Sequence, residues 1–207
     1  MTITLHQGDL PSSVELGPAV AVDTETMGLR PHRDKLCLVQ LSSGDGSAHL
    51  VQVDRTSYEA PNLRRLFADD ATLKLFHFAR FDMAVIEKYL GVMPGPVYCT
   101  KIASKLVRTY TDRHGLKDLC REILSIDLPK VVQSSDWGAE TLSQAQQEYA
   151  AGDVLYLHRL KAGLDEMLAR EGRADLAEAC FGFLATRTRL DLDGWSDEDI
   201  FAHSSGN

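Results

Sequence analysis

Residues 19–25 read AVAVDTE, an apolar run that changes abruptly into acidic residues. The four apolar residues predict a buried strand. Because successive side chains of a strand point to opposite faces, Asp23 and Glu25 are expected on the same face, as two like charges side by side. Such a pair is unfavourable unless a cation or solvent compensates it. The stretch therefore predicts a strand that ends in a functional pair of carboxylates, with ordinary exposed strand-end residues as the alternative.

The sequence around this strand predicts a sheet flanked by helices. Apolar runs at 36–41 and 49–53, separated by the turn signal SSGDG, predict an antiparallel meander with the first strand. Further strands are predicted at 73–78 and 97–99, and helices at 60–68, 79–90, 101–110, 115–125, 141–170 (beginning at the N-cap-like Thr141) and 174–186. This order of elements predicts an α/β fold with a mixed sheet.

The composition is that of an ordinary globular chain. Its 207 residues are 44% apolar and 25% charged, which excludes disordered, collagen-like and coiled-coil classes. We find no apolar run that approaches the ~20 residues of a membrane span, and no signal peptide. The four cysteines lie far apart without metal-ligand spacing. They predict reduced thiols of a cytoplasmic protein and argue against a zinc site.

Two more acidic positions accompany the first pair. The motif HFARFD at 77–82 places Asp82 in the first turn of a predicted helix, where the helix dipole alone favours an acid. Tyr149 and Asp153 are four residues apart on a predicted helix and share a face, which helix packing alone would also explain. Four converging carboxylates, however, require divalent cations, and oxygen ligands select Mg²⁺ or Mn²⁺. Two such ions can promote phosphodiester displacement, and Tyr149 can orient the attacking water.

The motifs DxE, HxAxFD and YxxxD, in this order, resemble those of the DEDD superfamily of 3′→5′ exonucleases, in the tyrosine-containing branch that includes ribonuclease D. The resemblance implies a ribonuclease-H-like fold with a mixed five-stranded sheet whose second strand is antiparallel. It implies that Asp23, Glu25 and Asp153 hold the ion that activates water. Asp23 with Asp82 would hold the ion near the leaving 3′-oxygen, and Tyr149 would position the nucleophilic water.

Two features narrow the resemblance. Many relatives place Asn or Gly after the histidine of the second motif, where this chain has Phe78. Ribonuclease D proper continues into helical nucleic-acid-binding domains, whereas this chain ends at Asn207. Its compact length, HFARFD, CTKIASKLVRTYTDRHGLKDL at 99–119 and SSDWGAETL at 134–142 are similar to small ribonuclease-D-like enzymes that degrade the shortest RNA fragments, chiefly dinucleotides. That similarity implies a cytoplasmic location and a homo-octameric ring.

The distribution of charge supplies candidate substrate contacts. The net charge of −8 argues against a protein that coats long nucleic acid. Residues 101–117 nevertheless carry five Lys or Arg against one Asp. Such a patch suits a short phosphate chain, with a solvated helix face as the alternative. An enzyme that prefers dinucleotides must recognise their 5′ end, because distant backbone contacts are missing. The candidate substrate-binding residues are His77, Lys101, Lys105, Arg108, Arg113, His114 and Lys117.

We therefore predict a tyrosine-containing 3′→5′ exonuclease domain at 1–172, followed by a C-terminal helix and tail at 173–207 that packs on the domain or at a subunit interface. The predicted function is two-metal hydrolysis of diribonucleotides and very short RNA fragments to 5′-mononucleotides. A ribonuclease-D-like trimmer of RNA 3′ ends, or an exonuclease that also acts on DNA, is the alternative within the class. A non-catalytic nucleic-acid-binding domain is the alternative outside it. Leu29, Gln40 and Phe81 are candidates for contacting the bases, with ordinary packing as the alternative.

Overall fold

The structure is a computed structural model that describes residues 2–128 and 136–203. Within these residues the strands are β1 (Thr2–Gln7), β2 (Ala19–Thr26), β3 (Leu36–Ser42), β4 (Ser47–Gln52), β5 (Leu73–Phe76) and β6 (Val97–Cys99). The helices are α1 (Pro61–Ala68), α2 (Ala79–Leu90), α3 (Thr100–Val107), α4 (Leu116–Leu124), α5 (Gln144–Val154), α6 (Leu157–Arg170) and α7 (Ala174–Leu192).

The strands form one mixed sheet in the order β1-β4-β3-β2-β5-β6. Strand β3 runs antiparallel to β2 and β4, and the other neighbouring pairs are parallel. The predicted α/β class, mixed sheet and antiparallel second strand are therefore confirmed. The prediction of five strands is wrong, because β1 adds a sixth strand at the edge beside β4. Its alternation of Thr with Ile3 and Leu5 was a period-two signal that the sequence offered.

Helices cover both faces of the sheet, and side chains of β2 pack in the hydrophobic core on each face. Val20 and Val22 enter the core formed with α1, α2 and α7, whereas Ala21 enters the core beneath α3 to α6. Because strand positions alternate, Asp23 follows Ala21 towards the α3 to α6 face, and Thr24 follows Val22 towards α2. The acidic end of β2 thus lies between elements from the two sides of the sheet.

The long helix predicted at 141–170 is in fact two helices. Helix α5 ends and α6 begins around residues 155–156. The N-cap of α5 is Ser143, which forms a capping box with Gln146, and not the predicted Thr141. Buried apolar residues continue at a spacing of three or four across the break. The hydrophobic pattern therefore contains no sign of the interruption.

The C-terminal helix α7 extends beyond its predicted end at residue 186 to Leu192 and packs against α2 and β6. Arg80 of α2 donates hydrogen bonds of 2.7 Å to the Asp191 carboxylate and to the backbone oxygen of Ser196. These bonds hold the start of the tail beside α2. Among the described helices, none has the length and apolar character needed to cross a membrane.

Candidate active site

Three carboxylates form a compact acidic group at the end of β2. Asp23 and Glu25 come from the strand, and Asp153 comes from α5, which packs over β2 and β3. One carboxylate oxygen from each residue lies within 4.8 Å of the other two, and all three side chains are half-buried. Oxygen ligands at this separation fit a hard divalent cation such as Mg²⁺. Sequence spacing and structure agree on this group.

The fourth predicted carboxylate, Asp82, lies beside the group on the first turn of α2. It is 3% exposed, and its Oδ1 accepts a hydrogen bond of 2.6 Å from the Thr24 hydroxyl. Its charge raises the pKa of both Asp23 and Glu25. The structure therefore brings all four carboxylates into one electrostatic unit. Thr24, which the sequence interpretation missed, sits between the two acids of the DTE motif and points to the opposite face.

The electrostatics of the group are those of a site that lacks compensating charge. Burial is the leading cause of a raised pKa at each carboxyl group. The pKa of Glu25 rises to about 9 and those of Asp82 and Asp153 to about 7. The pKa of Asp23 also lies well above its ordinary value, because burial and its three acidic neighbours add together. Negative charge is thus held here at a cost that a bound cation would remove.

Tyr149 lies one helical turn before Asp153 and faces the acidic group. Its hydroxyl is close to the Asp153 carboxylate and lowers the pKa of that acid against the effect of burial. Burial raises the pKa of Tyr149 above its ordinary value, so the phenol is protonated at neutral pH. Its ring packs against Trp137 with a centroid distance of 6.0 Å. Packing against Trp137 therefore restricts the ring on one side, while the hydroxyl lies near the acidic group.

The loop at 136–140, which carries Trp137, is tied to the sheet by two long-range hydrogen bonds. Gln52 Nε2 donates to the backbone oxygen of Ala139, and Arg55 Nη2 to that of Gly138, both at 2.7 Å. The sequence interpretation noticed SSDWGAETL but assigned it no structural role, and residues 134–135 of that motif lie outside the described residues. Gln52 and Arg55 carry no local signal, because their partners are distant in sequence.

Asp23 lies directly across from Gln40, its cross-strand neighbour on β3. Gln40 Nε2 donates a hydrogen bond of 3.2 Å to Asp23 Oδ2. Since Gln40 is fully buried, the prediction that it contacts the bases is wrong. Of the other two base-contact candidates, Leu29 is 87% exposed, and Phe81 is half-buried against the core.

His77 lies at the junction of β5 and α2, where its ring is held by Thr100. His77 Nδ1 is 2.9 Å from the Thr100 hydroxyl, which itself donates to the backbone oxygen of Phe76 at 3.1 Å. The proton of the imidazole therefore belongs on Nδ1. Burial, together with the nearby Lys101, lowers the pKa of His77 to about 3. The side chain is neutral, so its Nε2 can accept a hydrogen bond from a substrate but supplies no positive charge.

The departure from the family motif at Phe78 has a backbone consequence. Phe78 has a φ of 74°, in the left-handed region that Gly and Asn adopt most readily. An Asn or Gly, which the resemblance leads us to expect here, would adopt this conformation with less strain than Phe. For Phe it costs roughly 1–2 kcal/mol. The ring is 45% exposed, and the Lys101 ammonium lies 4.5 Å from its centroid.

The predicted basic patch includes one residue that faces the interior. Arg108 is fully buried, pairs with Glu122, and donates from Nη1 to the backbone oxygen of Arg113 at 2.7 Å. The prediction that Arg108 binds phosphate is therefore wrong, because its guanidinium donors already form hydrogen bonds within the protein. The remaining candidates are more accessible: Lys105 and Arg113 are exposed, and Lys101, His114 and Lys117 are half-buried.

An acidic group that offers only oxygen ligands suits the divalent ions that nucleases use in phosphodiester hydrolysis. A family model described as 3′-5′ exonuclease matches residues 8–169. The chain belongs to this family of 3′–5′ exonucleases, whose members depend on metal ions. The sequence resemblance to that class of enzyme is therefore confirmed.

Individual relatives narrow the comparison. Ribonuclease D of Acidiphilium cryptum is 35% identical over 158 residues, which are 76% of this chain and 40% of that protein. The chain thus spans about 40% of the length of the curated relatives it matches. A structure of Brucella melitensis NrnC with bound Mg²⁺ is 59% identical, with a TM-score of 0.94 over 99% of this chain and 100% of that one. Brucella melitensis NrnC bound to pGG is 60% identical, with a TM-score of 0.95 over the same shares.

Proposed function

We propose that the chain is a metal-dependent 3′→5′ exoribonuclease that degrades diribonucleotides and other very short RNA fragments to 5′-mononucleotides. The observation that carries this proposal is the group formed by Asp23, Glu25 and Asp153, with Asp82 and Tyr149 beside it. The similarity to NrnC bound to pGG, over nearly the whole of both chains, supports short RNA as the substrate class.

We assign two divalent ions, Mg²⁺ or Mn²⁺, to each site. Asp23, Glu25 and Asp153 would hold one ion, and Asp23 with Asp82 the other. The oxygen-only ligand set and the raised pKa values of these acids support the assignment. The Mg²⁺ in the NrnC structure supports Mg²⁺ as the kind of ion, though the number of ions is our own proposal. When bound, two such ions stabilise the attacking and leaving oxygens of a phosphodiester displacement.

Tyr149 orients the attacking water through its hydroxyl. Because burial keeps the phenol protonated, Tyr149 acts by hydrogen bonding and not as an anion that removes a proton. The packing of its ring on Trp137 restricts where the hydroxyl can point. Attack of the water on the last phosphodiester releases a 5′-mononucleotide and leaves a new 3′-hydroxyl on the remaining chain.

The substrate contacts follow from accessibility and charge. We propose that the 5′ phosphate is bound by Lys and Arg of the 101–117 stretch other than Arg108 and by His114 as a hydrogen-bond donor, and that neutral His77 accepts a hydrogen bond at Nε2. Arg108 instead supports this stretch from within, through its bond to the Arg113 carbonyl. A charge-assisted hydrogen bond to phosphate contributes ~1.5–3 kcal/mol. The proposed phosphate ligands are Lys101, Lys105, Arg113, His114 and Lys117.

The C-terminal part suits a role in assembly. We propose that residues 1–172 form the exonuclease domain. Residues 173–207 pack on this domain and contribute to a homo-octameric ring. Apolar side chains exposed on α7 and the tail support such a contact: Leu176, Phe183, Trp195, Ile200 and Phe201. The four cysteines are unpaired, which supports a reducing compartment such as the cytoplasm.

Hydrolysis of pGG tests the proposal. With Mg²⁺ present, separation of the products by anion exchange should show GMP as the sole nucleotide product, and EDTA should abolish its formation. Asp23→Asn, which keeps the shape of the side chain, is the matched inactive control. Absence of hydrolysis with both Mg²⁺ and Mn²⁺ would contradict the proposal and favour a non-catalytic binding domain.

A further inference from the structure

We infer that Gln40 is a positioning residue that sets the orientation of the Asp23 carboxylate for metal binding, and that the fold keeps it at a cost in stability. The inference deepens the proposed function and rests on it. Gln40 lies in the middle of β3, directly across from Asp23 on β2. Its amide nitrogen donates to Asp23 Oδ2 at 3.2 Å.

The cost lies in the other half of the same amide. Gln40 Oε1 is buried and has no hydrogen-bond partner among the described residues. An unpaired buried carbonyl loses its hydration without compensation, which destabilises the folded state. The neighbouring residues of the strand, Leu38, Val39 and Leu41, are apolar and fully buried. An apolar side chain of similar size would therefore suit position 40 better than an amide does.

The benefit is control of a ligand. A hydrogen bond to Oδ2 restricts rotation of the Asp23 carboxylate, and so sets the direction of its remaining lone pairs relative to Glu25 and Asp153. Residues that hydrogen-bond metal ligands in this way tune affinity, and their removal typically lowers metal affinity or activity ~10–100-fold. Thr24 holds Asp82 by an equivalent bond. The two carboxylates assigned to the second ion thus each have a dedicated donor.

A purely structural role would make different demands. Strand β3 is held by backbone pairing to β2 on one side and to β4 on the other. The side chain of Gln40 is therefore not needed to join the strands. If the Gln40 side chain did join the strands, its replacement would lower the stability of the protein and leave the metal affinity of the folded protein unchanged.

Gln40→Leu separates the two roles. We expect its affinity for Mn²⁺, measured from free Mn²⁺ by electron paramagnetic resonance, to fall ~10–100-fold. The melting temperature in EDTA should stay unchanged or rise, because the unpaired carbonyl is gone. Ser42→Ala is the matched control: Ser42 is a buried polar residue of the same strand, and its hydroxyl donates to the Ser47 carbonyl at 2.6 Å. Its Mn²⁺ affinity should equal that of the wild type.

Mn²⁺ affinity within about threefold of the wild type in folded Gln40→Leu would overturn the inference. Gln40→Met, which is unbranched, provides the same test if the leucine variant does not fold. If neither variant folds, the inference is also overturned, because the sheet then depends on the amide. Wild-type protein that binds no Mn²⁺ would refute the proposed function itself, whereas equal binding by wild type and variants refutes only the role of Gln40.

Discussion

Asp153→Asn should abolish catalysis and stabilise the metal-free protein. The pKa of Asp153 rises to about 7 from an ordinary 3.8, chiefly through burial. Each pKa unit corresponds to ~1.4 kcal/mol, so holding this carboxylate ionised at pH above 7 costs the metal-free fold ~4 kcal/mol. An amide also loses hydration on burial, which offsets part of this gain. We therefore expect a net gain of ~2 kcal/mol, about half of the ionic cost.

The measurement is thermal unfolding in EDTA at about pH 8, paired with a rate assay in Mg²⁺. A gain of ~2 kcal/mol corresponds to a rise in melting temperature of ~4–8 °C for a chain of this length. The variant loses a ligand of the catalytic ion, so stabilisation of the transition state should fall by several kcal/mol and the rate should fall with it. A lower melting temperature in EDTA would refute the electrostatic reasoning. Activity above about a tenth of the wild type, a loss of only ~1.4 kcal/mol, would refute the metal assignment.

Further predictions concern the tyrosine, pH, the arginine and the assembly. Tyr149→Phe should lower the single-turnover rate ~10²–10⁴-fold while pGG affinity in Ca²⁺ stays the same; equal losses in rate and affinity would make Tyr149 a substrate-binding residue. In EDTA the melting temperature should fall as the pH rises from about 5 to about 9, because the raised pKa values of Glu25 and Asp82 make the folded state bind more protons than the unfolded state. Mg²⁺ should remove most of this pH dependence. A melting temperature in EDTA that does not change with pH would contradict the prediction. Arg108→Ala should destabilise the protein by ~1–3 kcal/mol, since it leaves the Ser104 hydroxyl oxygen and the Arg113 carbonyl without their buried donor; unchanged urea unfolding would mean that Arg108 is not structural. Light scattering should show an octamer, and a mass near 22.9 kDa would contradict the ring.

The acidic group was predictable because its determinants are local. The period of two in a strand places Asp23 and Glu25 on the same face of β2. The period of 3.6 in a helix places Tyr149 and Asp153 on the same face of α5. Asp82 followed from a strand-to-helix junction. That these motifs meet at one site was implied by the resemblance to the DEDD exonucleases, in which they occur in the same order.

The remaining features depend on contacts between distant residues. Burial of Arg108 could not be predicted, because a basic residue at the end of a helix is ordinarily solvated and its partner Glu122 lies on α4. The pairing of Gln40 with Asp23 requires the register between β2 and β3, which the hydrophobic pattern leaves unspecified where both faces are buried. The break between α5 and α6 leaves the apolar spacing intact, so tertiary packing alone defines it.

The most direct test of the account is a length series of 5′-labelled RNAs, from a dinucleotide to roughly ten nucleotides, incubated with the enzyme in Mg²⁺ and in EDTA. The acidic group predicts hydrolysis from the 3′ end that stops completely in EDTA, and the proposed substrate predicts the highest kcat/KM for the dinucleotide. Rates that rise with length would contradict the proposed preference for short RNA. Hydrolysis that persists in EDTA would contradict the metal-dependent mechanism.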